Sequence, residues 1–554
     1  MAPDAPGPDT PQDSAAKNGP DGGSKEKLNT RAAGIVGLAV LGSRVLGVAR
    51  EQIFAALFGG GRLMDAFTIA FRTPNLLRDL FAEGALSTAF VTTFSKTIAL
   101  EGEASAWRLA NKVTTLATVT LSAITAIGIL IAPWLIGILA PGFDPEKAAL
   151  TVTLARVMYP FILLVSLAAL VMGMLNARSV FGVPVIASSF FNLGSIIGGV
   201  SIGWWIDPHF GQKALLGLAV GTLIGGALQL LVQLPSLRRL GYVFHPDFQW
   251  KDKGVVAILQ LMGPSVIAAS STQVNVMVNS IFASQLGDGP TFWLSIAFRL
   301  MQLPLGVFGV ALGMVSLPLL SRLAATGNLS GFRTELAHGI RLAFLMTLPA
   351  AVGLMMLAEP IISVLYQHGR FGAHETQQAA AALRFYALGL CGYAGLKVLV
   401  NAFYALDKRR TPMVVSFGAI ALNLGTSWLF TFKLGLGHRG LALSTAVLAS
   451  VNFLVLYLLM RRNLSRFDTR ALFTTLAKAL LACAAMAGVC WAAMEWPLAH
   501  WDVQRFVPKL AWLLATIVVA ALIFFAAATL LRIAELNELT AAVMRRLRPR
   551  KARP

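Results

Sequence analysis

Ala70-Phe71-Arg72 returns as Ala297-Phe298-Arg299, each time an arginine inside an apolar run, and the reading of that pair decides the fold. Three further matches follow in order. Gly84-Ala85-Leu86-Ser87 returns as Gly313-Met314-Val315-Ser316, and Asn192-Leu193-Gly194 as Asn423-Leu424-Gly425. The basic joint at Arg178, closed by Pro184, returns as Lys408-Arg409-Arg410, closed by Pro412. The offsets are 227, 229, 231 and 230 residues. Short matches in order at nearly one offset mark an internal duplication.

Composition says what is duplicated. Of 554 residues, 56% are hydrophobic and 13% charged, against a usual charged share of about 25%. Mean hydropathy is +0.69. So few charges cannot cover a soluble protein of this size, so most of the chain faces lipid or helices that do. Disordered and disulfide-scaffold classes are excluded. Cys391, Cys483 and Cys490 lie in apolar runs and read as small buried hydrophobes. The formal charge of +20 fits basic cytoplasmic joints that attract anionic lipid, and no nucleic-acid partner is expected.

Residues 1–30 are rich in Pro, Gly, Asp and Ser and read as a disordered cytoplasmic tail. Apolar runs then recur at 32–58, 63–97, 107–139, 147–177, 183–206, 213–236, 254–286, 290–323, 333–358, 376–406, 412–432, 439–460, 471–495 and 507–531. Each meets the roughly 20 residues a membrane-crossing helix needs. The expected fold is an all-α polytopic membrane protein of fourteen transmembrane helices. Spans 1–6 (residues 31–240) and 7–12 (241–462) form two six-helix lobes, spans 13 and 14 (463–532) are an addition, and 533–554 is a basic tail. Six is even, so both lobes enter from one side and the repeat is parallel. Joints after even-numbered spans carry Lys96, Arg108, Arg178, Arg238, Arg239, Arg322, Lys408 and Arg461; those after odd-numbered spans hold Asp144, Glu146, Asp207, Asp288 and Glu359. By the positive-inside rule both termini are cytoplasmic.

The polar residues inside the spans carry the function. Span 1 holds Arg44, Gly47, Arg50 and Glu51; span 2 holds Asp65, Arg72, Pro74, Arg78, Asp79 and Glu83; span 8 holds Arg299, Gln302 and Pro304. Arg44 and Arg50 point about 120° apart on a helix. Pro74 should kink or break its helix. Mutual pairing, such as Arg50 with Asp79, is the structural alternative, but the arginines outnumber the acids. An uncompensated cation cluster in a membrane cavity wants an anion, and guanidinium suits phosphate. Gly59-Gly60-Gly61 reads as a turn, and His368 and His374 as solvated rather than metal-binding. Asn275, Asn279 and Asn423 read as hydrogen-bonding between helices. No paired carboxylates and no nucleophile–His–acid set point to an enzyme.

Ser43-Arg44-Val45-Leu46-Gly47 with Ala49-Arg50, Asp65-Ala66-Phe67, Pro74-Asn75-Leu76-Leu77-Arg78 and Phe81-Ala82-Glu83-Gly84-Ala85 closely resemble the opening of the MurJ (MviN) family of lipid II flippases, within the multidrug/oligosaccharidyl-lipid/polysaccharide exporter superfamily. Phe298-Arg299-Leu300 followed by Pro304-Leu305-Gly306-Val307 resembles that family's eighth helix. The resemblance implies fourteen helices in two lobes, a cationic cavity, and a groove for the lipid tail at the last two helices. It implies substrate contacts at Arg44, Arg50, Arg78 and Arg299, with Ser43, Glu51, Asp65, Arg72, Asp79, Glu83 and Gln302 around the cavity or its gates. Asp65 is expected to pair with a cavity cation to close the outer gate. Two departures stand out. Some members carry Glu where Gln302 stands, and some bind sodium through acids in spans 7 and 11, which have none here.

The expected activity is movement of lipid II from the inner to the outer leaflet of the bacterial cytoplasmic membrane, by a monomer without metal or cofactor, surrounded by membrane lipids. The rivals are a flippase for another polyprenyl-diphosphate glycan, a two-lobed multidrug exporter, and a membrane glycosyltransferase. Charge type tests the arginine assignment. Lys at Arg44, Arg50 or Arg78 should retain part of the transport, Ala should lose it, and Glu should be worst. The double variant Arg78→Asp, Asp79→Arg keeps an ion pair but turns the cation by about 100°, so it should fail in a flipping assay. Wild-type transport by that variant would move Arg78 from ligand contact to scaffold.

Overall fold

The computed structural model describes residues 30–79, 86–464, 469–496, 498 and 506–536. Glu83, most of the amino-terminal tail and the chain beyond residue 536 lie outside the described residues. All regular structure among those described is helical. In chain order the helices are α1 (Thr30–Phe58), α2 (Arg62–Arg78), α3 (Ser87–Glu101), α4 (Glu103–Leu139), α5 (Pro145–Met158), α6 (Phe161–Ala177), α7 (Gly182–Ile206), α8 (Leu215–Leu231) and α9 (Leu234–Arg239). There follow α10 (Lys253–Ser284), α11 (Pro290–Pro304), α12 (Val310–Ala325), α13 (Leu329–Met356), α14 (Ala358–Tyr366), α15 (Ala373–Ala387), α16 (Leu390–Ala405), α17 (Arg410–Trp428) and α18 (His438–Leu464). Two more, α19 (Thr469–Glu495) and α20 (Phe506–Leu530), complete the described helices. Among the described residues ten segments are long and apolar enough to cross a membrane, and an eleventh qualifies when α15 and α16, bent by 42°, count as one.

Several spans are broken helices. Span 8 comprises α11 and α12 joined by the π-helical turn Leu305–Gly309; of span 2, α2 and α3 are described and residues 80–85 are not. Span 4 is broken at Tyr159-Pro160, and span 10 at Leu388-Gly389. Of the kink or break expected at Pro74, the break is not seen. The α-helix runs on through Pro74 to Arg78. Proline removes the amide that would bond to the Ala70 carbonyl, and the Thr73 hydroxyl donates to that carbonyl at 2.9 Å instead. The short α14 is a helix the apolar pattern did not reveal.

One inter-helix hydrogen bond recurs at matching positions of the two halves. Asn192 on α7 donates to the Ser43 carbonyl of α1 at 3.2 Å. Its repeat mate Asn423 on α17 donates to the Asn275 carbonyl of α10 at 3.5 Å. Span 5 is thus tied to span 1 as span 11 is tied to span 7, by the same side chain. The helices α1–α9 pack mainly among themselves, as do α11–α18. The first half of α10 leans on α3 and α4, guided by the connector before it: the Asp247 amide donates to Thr115 Oγ1 at 3.0 Å and Lys112 Nζ to Asp252 at 2.8 Å. The hydrogen bond from Lys112 holds the Asp252 carboxyl below its ordinary range. The contact therefore stands at neutral pH and is lost only as pH falls through that lowered value. Helices α19 and α20 pack on α13 and α14 around a separate apolar cluster including Leu345, Cys483, Met486 and Phe524. Arg341 bonds Glu535 at 2.5 Å and fastens the end of that pair.

Within the first bundle α7 and α8 meet backbone to backbone. A Cβ at Gly221 would lie 2.3 Å from the Gly199 nitrogen, and one at Gly217 would lie 2.2 Å from that of Gly203. Small residues permit such an approach in membranes. Gly221→Val should lower stability by about 1–3 kcal/mol through overpacking. Gly137, with open space around its Cβ position, supplies the control Gly137→Ala. Thermal unfolding of the two variants in detergent compares them, and equal midpoints would refute the close approach.

Candidate functional site: a cationic cavity between two helix bundles

A cavity of about 990 Å³ lies between the bundles. Arg44, Arg50, Arg72, Arg78, Arg299 and Lys397 line it, and no lining residue among those described is acidic. The rest of the wall is neutral and polar or aromatic, with Asn192, Gln229, Asn275, Asn279, Gln302, Tyr386, Tyr393 and Asn452 among its residues. The expected substrate arginines thus meet in one space, although they come from α1, α2 and α11. Lys397, on α16, is a cavity cation that sequence reasoning missed. Its signal was the one used for Arg299: a lone charge inside an apolar run.

Each arginine is held differently. Arg44 reaches the π-helical turn of span 8, and a Cβ at Gly306 would lie 2.9 Å from its Nη1. Arg50 lies over the Phe191 ring, 5.0 Å from the centroid, a cation–π contact. It does not pair with Asp79. Arg72 donates to Ser280 Oγ at 2.5 Å, a link from α2 to α10. Arg78 pairs with its neighbour Asp79 at 2.8 Å, which also accepts from Gln273 at 3.4 Å. Arg299 pairs across the bundles with Glu51 at 2.5 Å, and the Tyr366 hydroxyl donates to the same carboxylate at 3.4 Å. Among the described residues Glu51 and Asp79 are the nearby acids, two against six cations. Ser43 stands behind the wall, its carbonyl taken by Asn192.

Asp65 corrects its expectation. It is fully buried outside the cavity wall and pairs with Lys147 of α5 at 3.1 Å, not with a cavity cation. It also accepts from the Gly289 and Phe292 amides at 2.7 and 2.9 Å, so a first-bundle carboxylate satisfies the exposed amides of α11. Lys147 in turn reaches Asp288 at 2.8 Å. Beside this contact, the Arg370 amide donates to the Ala56 carbonyl at 2.8 Å. Its guanidinium donates to the Phe210 and His209 carbonyls at 2.7 and 2.6 Å. Gly142 packs so close to Ser284 that a Cβ would sit 2.5 Å from the Ser284 oxygen. All these contacts lie at the acid-rich joints, and together they seal that end. His368 and His374 are exposed.

The residues of spans 7, 11 and 12 do not fit a carboxylate-based sodium site. Ser427 and Ser444 donate to Asn423 Oδ1 at 3.2 and 3.3 Å, and Asn279 donates to Thr445 Oγ1 at 3.2 Å. These are neutral groups bonded to one another.

Two like helix bundles enclosing a charged cavity, sealed at one end by contacts between them, define a two-lobed membrane transporter. A solved structure of a multidrug resistance MATE transporter of the MOP superfamily, inward-facing, shares this fold with a TM-score of 0.63 at 16% identity, covering 78% of this chain and 95% of that one. A lipid II flippase MurJ in an inward closed conformation matches with a TM-score of 0.73 at 23% identity, covering 90% of this chain and 98% of that one. The sequence profile of the family described as lipid II flippase MurJ matches residues 54–512. The chain is 35% identical to the lipid II flippase MurJ of Burkholderia cenocepacia, over 76% of this chain and 81% of the relative. It is 37% identical to a probable lipid II flippase MurJ of Rhizobium tropici, over 82% and 85%. The chain belongs to the MurJ family.

The seal is testable. Arg370→Ala removes two guanidinium bonds between the bundles while leaving the cavity wall intact. A cysteine placed at Ser295 in that wall should then react several-fold faster with an impermeant thiol reagent from the acid-rich side. The native cysteines give little background, two being buried and one half-buried. Unchanged labelling would show that Arg370 does not hold the seal.

Proposed function

We propose that this protein moves lipid II from the inner to the outer leaflet of the bacterial cytoplasmic membrane by alternating access. The observation that carries this reading is a wall that holds six cations, Arg44, Arg50, Arg72, Arg78, Arg299 and Lys397, and no acid among the described residues. Burying charges without counter-charges is strongly unfavourable, and an entering diphosphate relieves it. Arg44, Arg50, Arg78 and Arg299 contact the diphosphate through charged, bidentate hydrogen bonds. The neutral amides and tyrosines meet the sugars. No bond is made or broken, so the protein acts without catalytic residues or cofactor. A multidrug exporter for organic cations would want acids or a bare aromatic wall, which this cavity does not offer. A flippase for another polyprenyl-diphosphate glycan would use the same cations, and the headgroup supplied in the assay separates the two.

In this reading the chain crosses the membrane fourteen times as a monomer, with both termini in the cytoplasm. Residues 31–240 and 241–462 rock as two lobes, and 463–532 cradle the polyprenyl tail. The lipid-facing sides of α19 and α20 carry exposed Phe473, Leu481, Trp491, Val518 and Leu522, which suit a hydrocarbon chain. The seal at the acid-rich end separates the cavity from the outside. Its breaking, with closure at the basic end, completes the cycle. Asp65, Glu51 and Asp79 serve as gate and counter-charges. An inside-negative potential favours outward movement of the anionic headgroup, about 2.3 kcal/mol per charge for each 100 mV.

Arg299→Ala tests the cavity. It removes the second bundle's arginine and frees Glu51. The variant should insert and fold, yet flip lipid II in proteoliposomes at least tenfold more slowly, the worth of a charged hydrogen bond or two. Wild-type flipping would sink the cavity as the headgroup site.

A further inference from the structure

We infer that Lys397, with Tyr393, Ser416 and Asn452 in the same wall, forms a separate subsite for a carboxylate of the substrate's peptide. The inference rests on the reading of the chain as a lipid II flippase. Lys397 stands mid-way along the 16-residue α16, in the run Leu390-Cys391-Gly392-Tyr393-Ala394-Gly395-Leu396-Lys397-Val398-Leu399. It is half-buried, lines the cavity, and makes no hydrogen bond or ion pair with a described residue. The other cavity cations come from α1, α2 and α11; Lys397 alone comes from α16.

The helix is built to hold it there. Gly392 and Gly395 let α16 press on α18: a Cβ at Gly392 would lie 2.9 Å from the Ser450 nitrogen, and one at Gly395 would lie 2.6 Å from the Phe453 ring. That contact uses one face of α16. Tyr393 and Lys397, four residues apart, share another face, which borders the cavity. Tyr386 and Tyr393, on either side of the 42° bend between α15 and α16, both line this wall. Asn452 of α18 and Ser416 of α17 add neutral hydrogen-bonding groups.

The chemistry favours a carboxylate over a second diphosphate contact. A diphosphate is a compact, multiply charged group, and the guanidinium fork matches its oxygens. Arg44, Arg50, Arg78 and Arg299 already supply that geometry. A lysine is a point charge without a fork, suited to one isolated anion, and tyrosine and amide groups can complete the shell of a single carboxylate. The peptide of lipid II carries free carboxylates at a distance from its diphosphate, and these also must leave water as the headgroup enters.

The test compares two substrates in proteoliposomes holding the full-length protein: lipid II with free peptide carboxylates, and lipid II with them amidated. Wild-type protein should flip the free form about tenfold faster, the worth of one charged hydrogen bond. In Lys397→Met that preference should collapse to near unity, while Lys397→Arg should keep it. A preference that survives Lys397→Met overturns the subsite. Equal loss on both substrates in Lys397→Met overturns it too, and assigns Lys397 to the diphosphate. Wild-type protein that moves neither substrate overturns the lipid II reading itself, an outcome distinct from both.

Discussion

Positive charge held inside an apolar bundle in excess of the acids beside it is the constraint on which this structure turns. Water must reach such groups or an anion must replace it, since a bare ion in low dielectric is unstable by many kcal/mol. The cavity of about 990 Å³ is therefore a consequence of the charges as much as a container for a ligand. Helices that carry the cations stay apart in the middle of the molecule. Elsewhere glycine brings helices together, as at Gly221 against Gly199. One protein thus uses two opposite packing rules, close small-residue contact for scaffold and enforced separation for site.

The duplication distributes the charges unequally. Asn192 and Asn423 perform the same inter-helix bond in both bundles, so the frame is repeated. The cations are not. The first bundle gives Arg44, Arg50, Arg72 and Arg78; the second gives Arg299 and Lys397 together with the neutral amides of α10 and the tyrosines of span 10. An anion between them would meet charge from both sides and neutral hydrogen-bonding groups mainly from one. Glu51, reaching Arg299 across the gap at 2.5 Å, shows that a single carboxylate already suffices to bridge the bundles. The sealed end works by a different chemistry: Asp65 and Lys147 are desolvated together, and the remaining carboxylate lone pairs go to backbone amides of α11. Full satisfaction is what makes such a buried pair tolerable, and the amides that satisfy it belong to the opposite bundle.

How much of this was legible in sequence follows from which forces are local. Apolar length marks a helix, and the expected spans fall on described helices, of which ten, or eleven with the bent pair, are long and apolar enough to cross a membrane. The breaks were less visible. Pro74 reads as a kink or a break, yet the α-helix runs through it, with the Thr73 hydroxyl bonded to the carbonyl that the proline leaves free. Span 10 bends at Leu388-Gly389, a site with a glycine but no proline. Arg299 was legible because it sits deep in an apolar run and repeats Arg72. Lys397 sits as deep, in a run just as apolar, but repeats no motif and so passed unnoticed.

Partners were the least legible feature, for a physical reason. Asp65 lies 82 residues from Lys147 and more than 220 from the amides it accepts from. Nothing in its own neighbourhood, Leu63-Met64-Asp65-Ala66-Phe67, distinguishes a cavity acid from a seal. What decides is the end of the span on which it stands. Asp65 is in the first turn of α2, level with the start of α5 and the start of α11, so its reach is to joints rather than to mid-membrane side chains. Arg72 and Arg78, two and nearly four turns farther along the same helix, fall at the level of the cavity. Depth along the helix, which can be counted in sequence, therefore separates gate from site, provided the count starts from the helix end that the fold closes.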